Sequence, residues 1–121
     1  MSALSEKLKS ILKKLEQNSE VYGGAIVNLR GQMMASALMG DIDENTVAAM
    51  SAALTSVGLR VGKTLKAGSI KSITLNASDA IILAKQLKSS VLITLAPADA
   101  KIGLIEFEVD QAIEEINKTL K

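Results

Sequence analysis

Two short stretches of the chain have residue types that could carry chemistry. The segment Gly58-Leu59-Arg60-Val61-Gly62-Lys63-Thr64 comes close to the pattern of a phosphate-binding loop, in which backbone amides and a lysine hold the phosphates. It has three residues between its glycines where the pattern needs four. Such a loop must also connect a strand to a helix, and the residues before it have helical spacing. The sequence therefore favours the second half of a helix, with Lys63 and Lys66 near its negative end.

The second stretch, Asp41-Ile42-Asp43-Glu44-Asn45, has oxygen-bearing side chains at the first three ligand positions of a calcium-binding loop. The sharp turn of such a loop needs glycine where this chain has Thr46, and its last ligand is a glutamate where this chain has Ala52. Calcium binding is therefore not predicted. The pattern favours the start of a helix, capped by either Asp41 or Asp43.

The composition excludes several further classes of chemistry. The chain has no histidine and no cysteine, which removes imidazole and thiolate metal ligands, disulfides, cysteine nucleophiles and every catalytic triad with an imidazole base. No serine or threonine has a visible activating base, and no pair of carboxylates stands out from its surroundings. The sequence thus assigns no catalytic residue, cofactor or bound metal, which agrees with a protein that is not an enzyme. The alternative is an enzyme that uses carboxylates or lysine.

Length and charge limit the choice of partner. The 121 residues are 48% hydrophobic and 22% charged, with a net charge of +1, and they predict one domain over residues 1–121. The small net charge and only two aromatic residues, Tyr22 and Phe107, disfavour nucleic-acid binding. No secretory signal and no uncharged stretch long enough to span a membrane is visible, so we expect a cytoplasmic protein.

The first elements are a helix and a hairpin. Residues 3–18 have an amphipathic helical pattern that Ser2 could cap. Its lysines could lie on a membrane surface, but Glu6 and Glu16 dilute that face, and packing against a sheet is favoured. Residues 25–29 and 32–38 read as two neighbouring strands with a turn near Gly31.

The central helix is predicted over residues 42–66 and has two packing faces. Large aliphatic residues on one face are expected to pack against a sheet. Beside them runs a strip of small residues that suits the close approach of another backbone, such as a second helix, including one from a partner chain. The alternative is that alanine is present only because it favours helix. Gly68 is placed to end the helix as a left-handed cap.

Three strands and a last helix follow. Residues 69–96 contain three apolar runs separated by turn-forming residues, which predicts a meander of three strands. Pro97 ends the last strand, and helical spacing resumes at Ile102. The element order is α-β-β-α-β-β-β-α. It predicts an α+β fold, a three-layer α/β/α sandwich with a five-stranded, mainly antiparallel sheet.

Three stretches of the chain resemble the Roadblock/dynein light chain family. Residues 22–27, followed by Gly31 and Ala35-Ser36, are similar to the first hairpin of that family. Residues 69–95 are similar to its three-strand meander, and residues 98–105 to its entry into the last helix. The resemblance lies in the order and spacing of these stretches, none of which is a catalytic signature.

The resemblance implies a protein that pairs with a like subunit. Two sheets would join through the third strand, here Ser69–Asn76, while the central helices, here Ile42–Lys66, pack together. A bulky change such as Ala52→Trp is then expected to weaken the dimer. The residues expected in the dimer interface are Ala48, Ala49, Ala52, Ala53, Ser56, Ile70, Ser72 and Thr74.

The same resemblance implies a function through contact. Members of the family regulate or scaffold Ras-like small GTPases, so a homodimeric GTPase-binding regulator or scaffold is the leading expectation. The alternative is a structural light chain or adaptor subunit of a motor or another multiprotein assembly. The only arginines are Arg30 and Arg60, and neither is assigned a catalytic role towards a GTPase.

Overall fold

The computed structural model describes residues 2–120 and contains three helices and five strands. In chain order the elements are α1 (Ala3–Asn18), β1 (Gly23–Asn28), β2 (Met33–Ala37), α2 (Glu44–Thr64), β3 (Ile73–Asn76), β4 (Ala80–Gln86), β5 (Ser90–Pro97) and α3 (Ile102–Thr119). The predicted element order is confirmed.

All five strands form one antiparallel sheet in the order β2-β1-β5-β4-β3. The hairpin of β1 and β2 and the hairpin of β4 and β5 are joined where β1 pairs with β5. The edges are therefore β2 and β3, and β3 has only four residues. This antiparallel α/β/α sandwich is the predicted fold class.

The helices cover the two faces of the sheet unequally. On one face, α1 and α3 enclose the larger core, which includes Leu8, Leu12, Leu92 and Val109. On the other face, α2 packs over β1, β2 and β5, around Ala25, Val27 and Ala48. The half of the sheet formed by β4 and β3 therefore has little cover from α2.

Local signals position the helix ends and the first turn. The Ser2 hydroxyl caps α1 by accepting a hydrogen bond from Ser5 N at 3.1 Å. Gly31 has a φ of 84°, the left-handed conformation that the β1–β2 turn requires. Both features agree with the sequence prediction. No helix within residues 2–120 is long and apolar enough to span a bilayer.

The end of α2 differs from the prediction. The helix ends at Thr64, and the left-handed residue that follows it is Lys66, with a φ of 56°, rather than Gly68. Lys66 N donates to Lys63 O at 3.1 Å and Ala67 N donates to Gly62 O at 2.8 Å, which is the hydrogen-bond pattern of a Schellman cap. Gly68 also has a positive φ, of 90°, but it lies in the loop beyond the cap.

Candidate functional site

Small residues form the face of α2 that packs on the sheet. The buried residues of this helix are Ala48, Ser51, Thr55 and Gly62. Ala48 lies against Ala25 and Val27, while the Thr55 hydroxyl donates to the backbone carbonyl of Ser51 at 3.0 Å. Small side chains let the helix lie close to β1 at this point.

Several large aliphatic residues in and just after α2 are exposed. Met50 is 60% exposed, Val57 47%, Val61 48% and Leu65, just after the helix, 72%. We call these four residues the aliphatic stripe. The prediction that the large aliphatic face packs against the sheet holds for the half-buried Val47 and Leu54, which face sheet residues across an apolar cavity. It is wrong for Val57, Val61 and Leu65, which are exposed. A row of exposed large apolar side chains on one helix is typical of an interaction surface.

An apolar cavity lies between α2 and the poorly covered half of the sheet. Its volume is about 400 Å³. The lining residues are Leu38, Ile42, Val47, Met50, Ser51, Leu54, Leu75, Ile82, Ile93 and Leu95. Met50 belongs to the aliphatic stripe and Leu75 to β3, which places the cavity between the stripe and the edge of the sheet. The buried Ser51 hydroxyl has no hydrogen-bond partner within residues 2–120.

The second half of α2 also carries a shallow groove of about 490 Å³ on its outer surface. Its lining consists of Val57, Arg60, Val61, Thr64 and Leu65. The exposed guanidinium of Arg60 thus lies beside the aliphatic stripe. Within residues 2–120, no three acidic side chains come together as potential metal ligands.

Two glycines of α2 hold the segment that leads into β3. A Cβ at Gly62 would lie 2.6 Å from the Gly68 carbonyl oxygen, and one at Gly58 would lie 2.8 Å from Ile73 Cδ1. The segment that leads into β3 therefore occupies the space beside both glycines. The stretch that comes close to a phosphate-binding pattern lies inside α2, and its glycines allow this close approach.

The strand predicted over Ser69–Asn76 is shorter in the structure and begins at Ile73. Residues 69–72 form no strand because they first pack along α2 beside Gly58 and Gly62. Ile70 Cδ1 lies 3.0 Å from the position that a Cβ at Gly62 would take. The segment joins the sheet only from Ile73, where it pairs with Ala84 of β4.

The two edges of the sheet differ in their protection. At β2, the Ser5 hydroxyl of α1 donates to the carbonyl oxygen of Met34 at 2.9 Å, and α1 packs along the strand. At β3, the sheet ends with a strand that has β4 on one side only. An edge strand offers backbone donors and acceptors to another chain, so β3 is the edge more open to pairing.

The residues predicted for a dimer interface have different environments. Ala48 is 1% exposed and lies in the core of its own chain. Ala52 is half-buried and faces the β1–β2 turn, where a Cβ at Gly31 would lie 3.8 Å from Ala52 Cβ. The exposed members are Ala49, Ala53, Ser56 and Thr74, and the half-buried members are Ile70 and Ser72.

The strip of small residues was expected to receive another backbone, and part of it does so within the chain. A Cβ at Gly31 would also lie 3.6 Å from Ala49 Cα, so the hairpin turn approaches this strip. The aliphatic stripe was missing from the predicted interface. Its helical spacing was visible in the sequence, but periodicity alone does not say which of two apolar faces of a helix is turned inwards.

The structure is a small α/β/α domain in which a helix with exposed apolar side chains lies beside an edge strand of the sheet. The Roadblock/LC7 domain family model matches residues 7–96. The chain belongs to this family, as its resemblance predicted.

Comparison with known proteins finds a sequence relative of low identity and solved structures that are similar in fold. An uncharacterised protein of Methanocaldococcus jannaschii, MJ1340, is 24% identical over 106 residues, which cover 88% of this chain and 93% of the relative. MglB of Myxococcus xanthus is 16% identical with a TM-score of 0.90, over 99% of this chain and 92% of that one. An MglB with a tetrameric arrangement is 14% identical with a TM-score of 0.84, over 98% and 91%.

Proposed function

We propose that this chain is a non-enzymatic, cytoplasmic homodimer that binds a Ras-like small GTPase as a regulator or scaffold. Membership of the Roadblock/LC7 family supports a role related to small-GTPase regulation at the family level. The aliphatic stripe of α2 is the single observation that carries the proposal, because it is a row of large apolar side chains that the described residues leave exposed.

The proposed dimer joins two copies through β3 and α2. Pairing of β3 with its counterpart would continue the sheet and remove the exposed edge. The two α2 helices would then lie side by side over the half of the sheet that α2 of one copy leaves uncovered. Burial of Met50, Val57 and Val61 in that contact is worth on the order of 1.5–3 kcal/mol for each fully buried side chain. The tetrameric arrangement of a structurally similar MglB supports self-association.

A pair of charge substitutions on α2 tests this contact. We expect Val61→Glu to weaken the dimer at least a hundredfold, since a carboxylate would have to be buried against apolar side chains. The measurement is molar mass by light scattering over a range of concentrations. Leu29→Glu, on the exposed β1–β2 turn, is the matched control and should leave the dimer intact.

Ala53→Glu places the same charge on the exposed part of the small-residue strip. If Ala53→Glu separates the chains and Val61→Glu does not, the small residues form the contact and the aliphatic stripe does not. If wild-type protein is monomeric at micromolar concentration, the homodimer is wrong. Ala52→Trp is a poorer test, because Ala52 faces the Gly31 turn of its own chain and a bulky side chain would disturb the fold.

The GTPase proposal is tested by binding of the source organism's Ras-like GTPases loaded with GDP or with a slowly hydrolysed GTP analogue. We expect one nucleotide state to bind at least tenfold more tightly. Equal binding in both states, or capture of a large scaffold protein regardless of nucleotide, would favour the structural light-chain role.

A further inference from the structure

A second exposed apolar surface lies on α3, away from the aliphatic stripe. Leu104 is 50% exposed, and Phe107, the only phenylalanine of the chain, is 58% exposed. Residues three apart on a helix are neighbours on its surface, so the two side chains form one patch. Because α1 and α3 cover the face of the sheet opposite to α2, this patch is separate from the proposed dimer contact.

The surface around this patch is acidic. Helix α3 carries five carboxylates and one lysine, whereas the whole chain has a net charge of +1. Lys85 of β4 pairs with Asp110 at 2.7 Å and Glu106 at 3.8 Å, and Lys14 of α1 pairs with Glu115 at 3.2 Å. The carboxylates of Glu108 and Glu114 have no ion-pair partner within residues 2–120.

The apolar patch and the acidic groups follow one another along the helix. Asp110 and Glu114 lie three and seven residues beyond Phe107, which corresponds to about 4.5 and about 10.5 Å along the helix axis. Both are exposed. A partner that lies along α3 would therefore meet an apolar anchor point first and negative charge within the next two turns.

We propose that the outer face of α3 is a docking site for a basic amphipathic helix of another protein. Its apolar side chains would cover Leu104 and Phe107, while its lysines or arginines would approach Glu114, whose carboxylate has no ion-pair partner within residues 2–120. An anionic membrane surface does not fit, because the carboxylates of α3 would be repelled by it. A net charge of only +1 supplies no general attraction for a basic peptide, so such binding has to arise from the local field of α3.

The probe is a synthetic helical peptide of leucine and lysine with one apolar and one basic face, and its counterpart has glutamate in place of every lysine. We expect saturable binding of the lysine peptide, with amide shift changes in NMR spectra confined to the solvent face of α3. Phe107→Ser should weaken this binding at least tenfold, and Glu114→Lys at least threefold. The glutamate peptide should bind at least tenfold more weakly than the lysine peptide.

Leu29→Ser, which removes an exposed leucine from the β1–β2 turn, is the matched control and should bind like wild type. Unchanged binding by Phe107→Ser, or shift changes on α2 instead of α3, would overturn the proposal. A drop in molar mass of Phe107→Ser would also overturn it, because the patch would then be a contact between copies of this chain. Val61→Glu should separate the proposed dimer and still bind the peptide, so the two proposals can fail independently.

Discussion

At the scale of single residues, Asp43 determines where α2 begins. One of its carboxylate oxygens accepts a hydrogen bond from Asn45 N at 3.1 Å, and the other accepts one from the Thr46 hydroxyl at 2.7 Å. The hydrogen bond from the Thr46 hydroxyl, followed by that from the Asn45 amide, lowers the pKa of Asp43 below its ordinary value. The sequence left Asp41 and Asp43 as alternative caps, and the structure selects Asp43.

The lowered pKa of Asp43 predicts a pH dependence of stability. Because the pKa is lower in the folded than in the unfolded chain, the charged cap stabilises the fold fully above the ordinary pKa of about 3.9. This stabilisation is lost as the pH falls through the lowered value. We expect Asp43→Ala to lower the melting temperature at pH 6, and the difference from wild type to shrink below about pH 3.5.

Thermal unfolding at several pH values measures this difference, and an NMR titration of the Asp43 carboxyl carbon measures the pKa itself. Asp41→Ala is the control, since this exposed residue was the other candidate cap, and its melting temperature should stay close to that of wild type. A larger loss in Asp41→Ala than in Asp43→Ala would contradict the assignment of the cap.

The local sequence pattern did not predict which residue after α2 has the left-handed conformation. Glycine is the usual residue at such a position, and Gly68 was the prediction, but Lys66 takes the conformation. The helix has to stop at Thr64 so that the returning chain can place Ile70 against Gly62. That requirement comes from packing between distant residues, and a glycine pattern does not contain it.

At the scale of elements, the extents of α1 and α3 were predictable because caps and helical periodicity are local. The orientation of α2 about its axis was not. Two apolar faces competed for the sheet, and the face of Ala48, Ser51 and Thr55 allows the closer approach. The larger side chains of Val57 and Val61 were therefore left outside, where they became the main part of the candidate site.

The contact between α2 and the loop before β3 predicts that two glycine-to-alanine substitutions will change the free energy of unfolding in opposite directions. Alanine favours a helix over glycine by up to about 1 kcal/mol. At Gly62 the added Cβ would lie 2.6 Å from a backbone oxygen, and overpacking costs about 1–3 kcal/mol. Because the overpacking cost exceeds the gain in helix preference, we expect Gly62→Ala to lower the free energy of unfolding by up to about 2 kcal/mol.

Gly103 in α3 provides the matched control, because a Cβ there would meet no atom within 4 Å. Gly103→Ala is expected to raise the free energy of unfolding by up to about 1 kcal/mol. Urea unfolding of both variants at one fixed protein concentration measures the two effects, since dimerisation makes stability depend on concentration. Equal stabilisation by both alanines would show that the loop does not pack tightly on α2.

At the scale of the whole molecule, the number and order of the elements could be read from the sequence, and the strand order could not. Turn residues between apolar runs predict hairpins, but the pairing of β1 with β5 joins residues that are far apart in the chain. The difference between the edges also depends on the assembled fold, because Ser5 of α1 protects β2 only once the helix lies on the sheet.

The two proposed surfaces should respond differently to salt. The aliphatic stripe is apolar, whereas the face of α3 combines two apolar side chains with negative charge. The Debye length falls from about 10 Å at 0.1 M to about 3 Å at 1 M ionic strength. We expect this change in NaCl to weaken peptide binding to α3 at least fivefold and to change the dimer dissociation constant less than threefold.

Peptide titration by fluorescence anisotropy and dimer dissociation by analytical ultracentrifugation give the two constants in the same buffers. A dimer that dissociates on addition of salt would point to a charged interface and away from the aliphatic stripe. Peptide binding that is unaffected by salt would mean that the carboxylates of α3 do not take part.

The layer formed by α1 and α3 contains both ends of the described chain, since α1 starts at Ala3 and α3 ends at Thr119. A surface tether or a fluorescent protein attached beyond either end of the described chain would therefore lie on the side of the sheet opposite to α2. The aliphatic stripe and the β3 edge would still face the solution. Protein immobilised through such a tether would thus keep the proposed dimer contact open to a second copy.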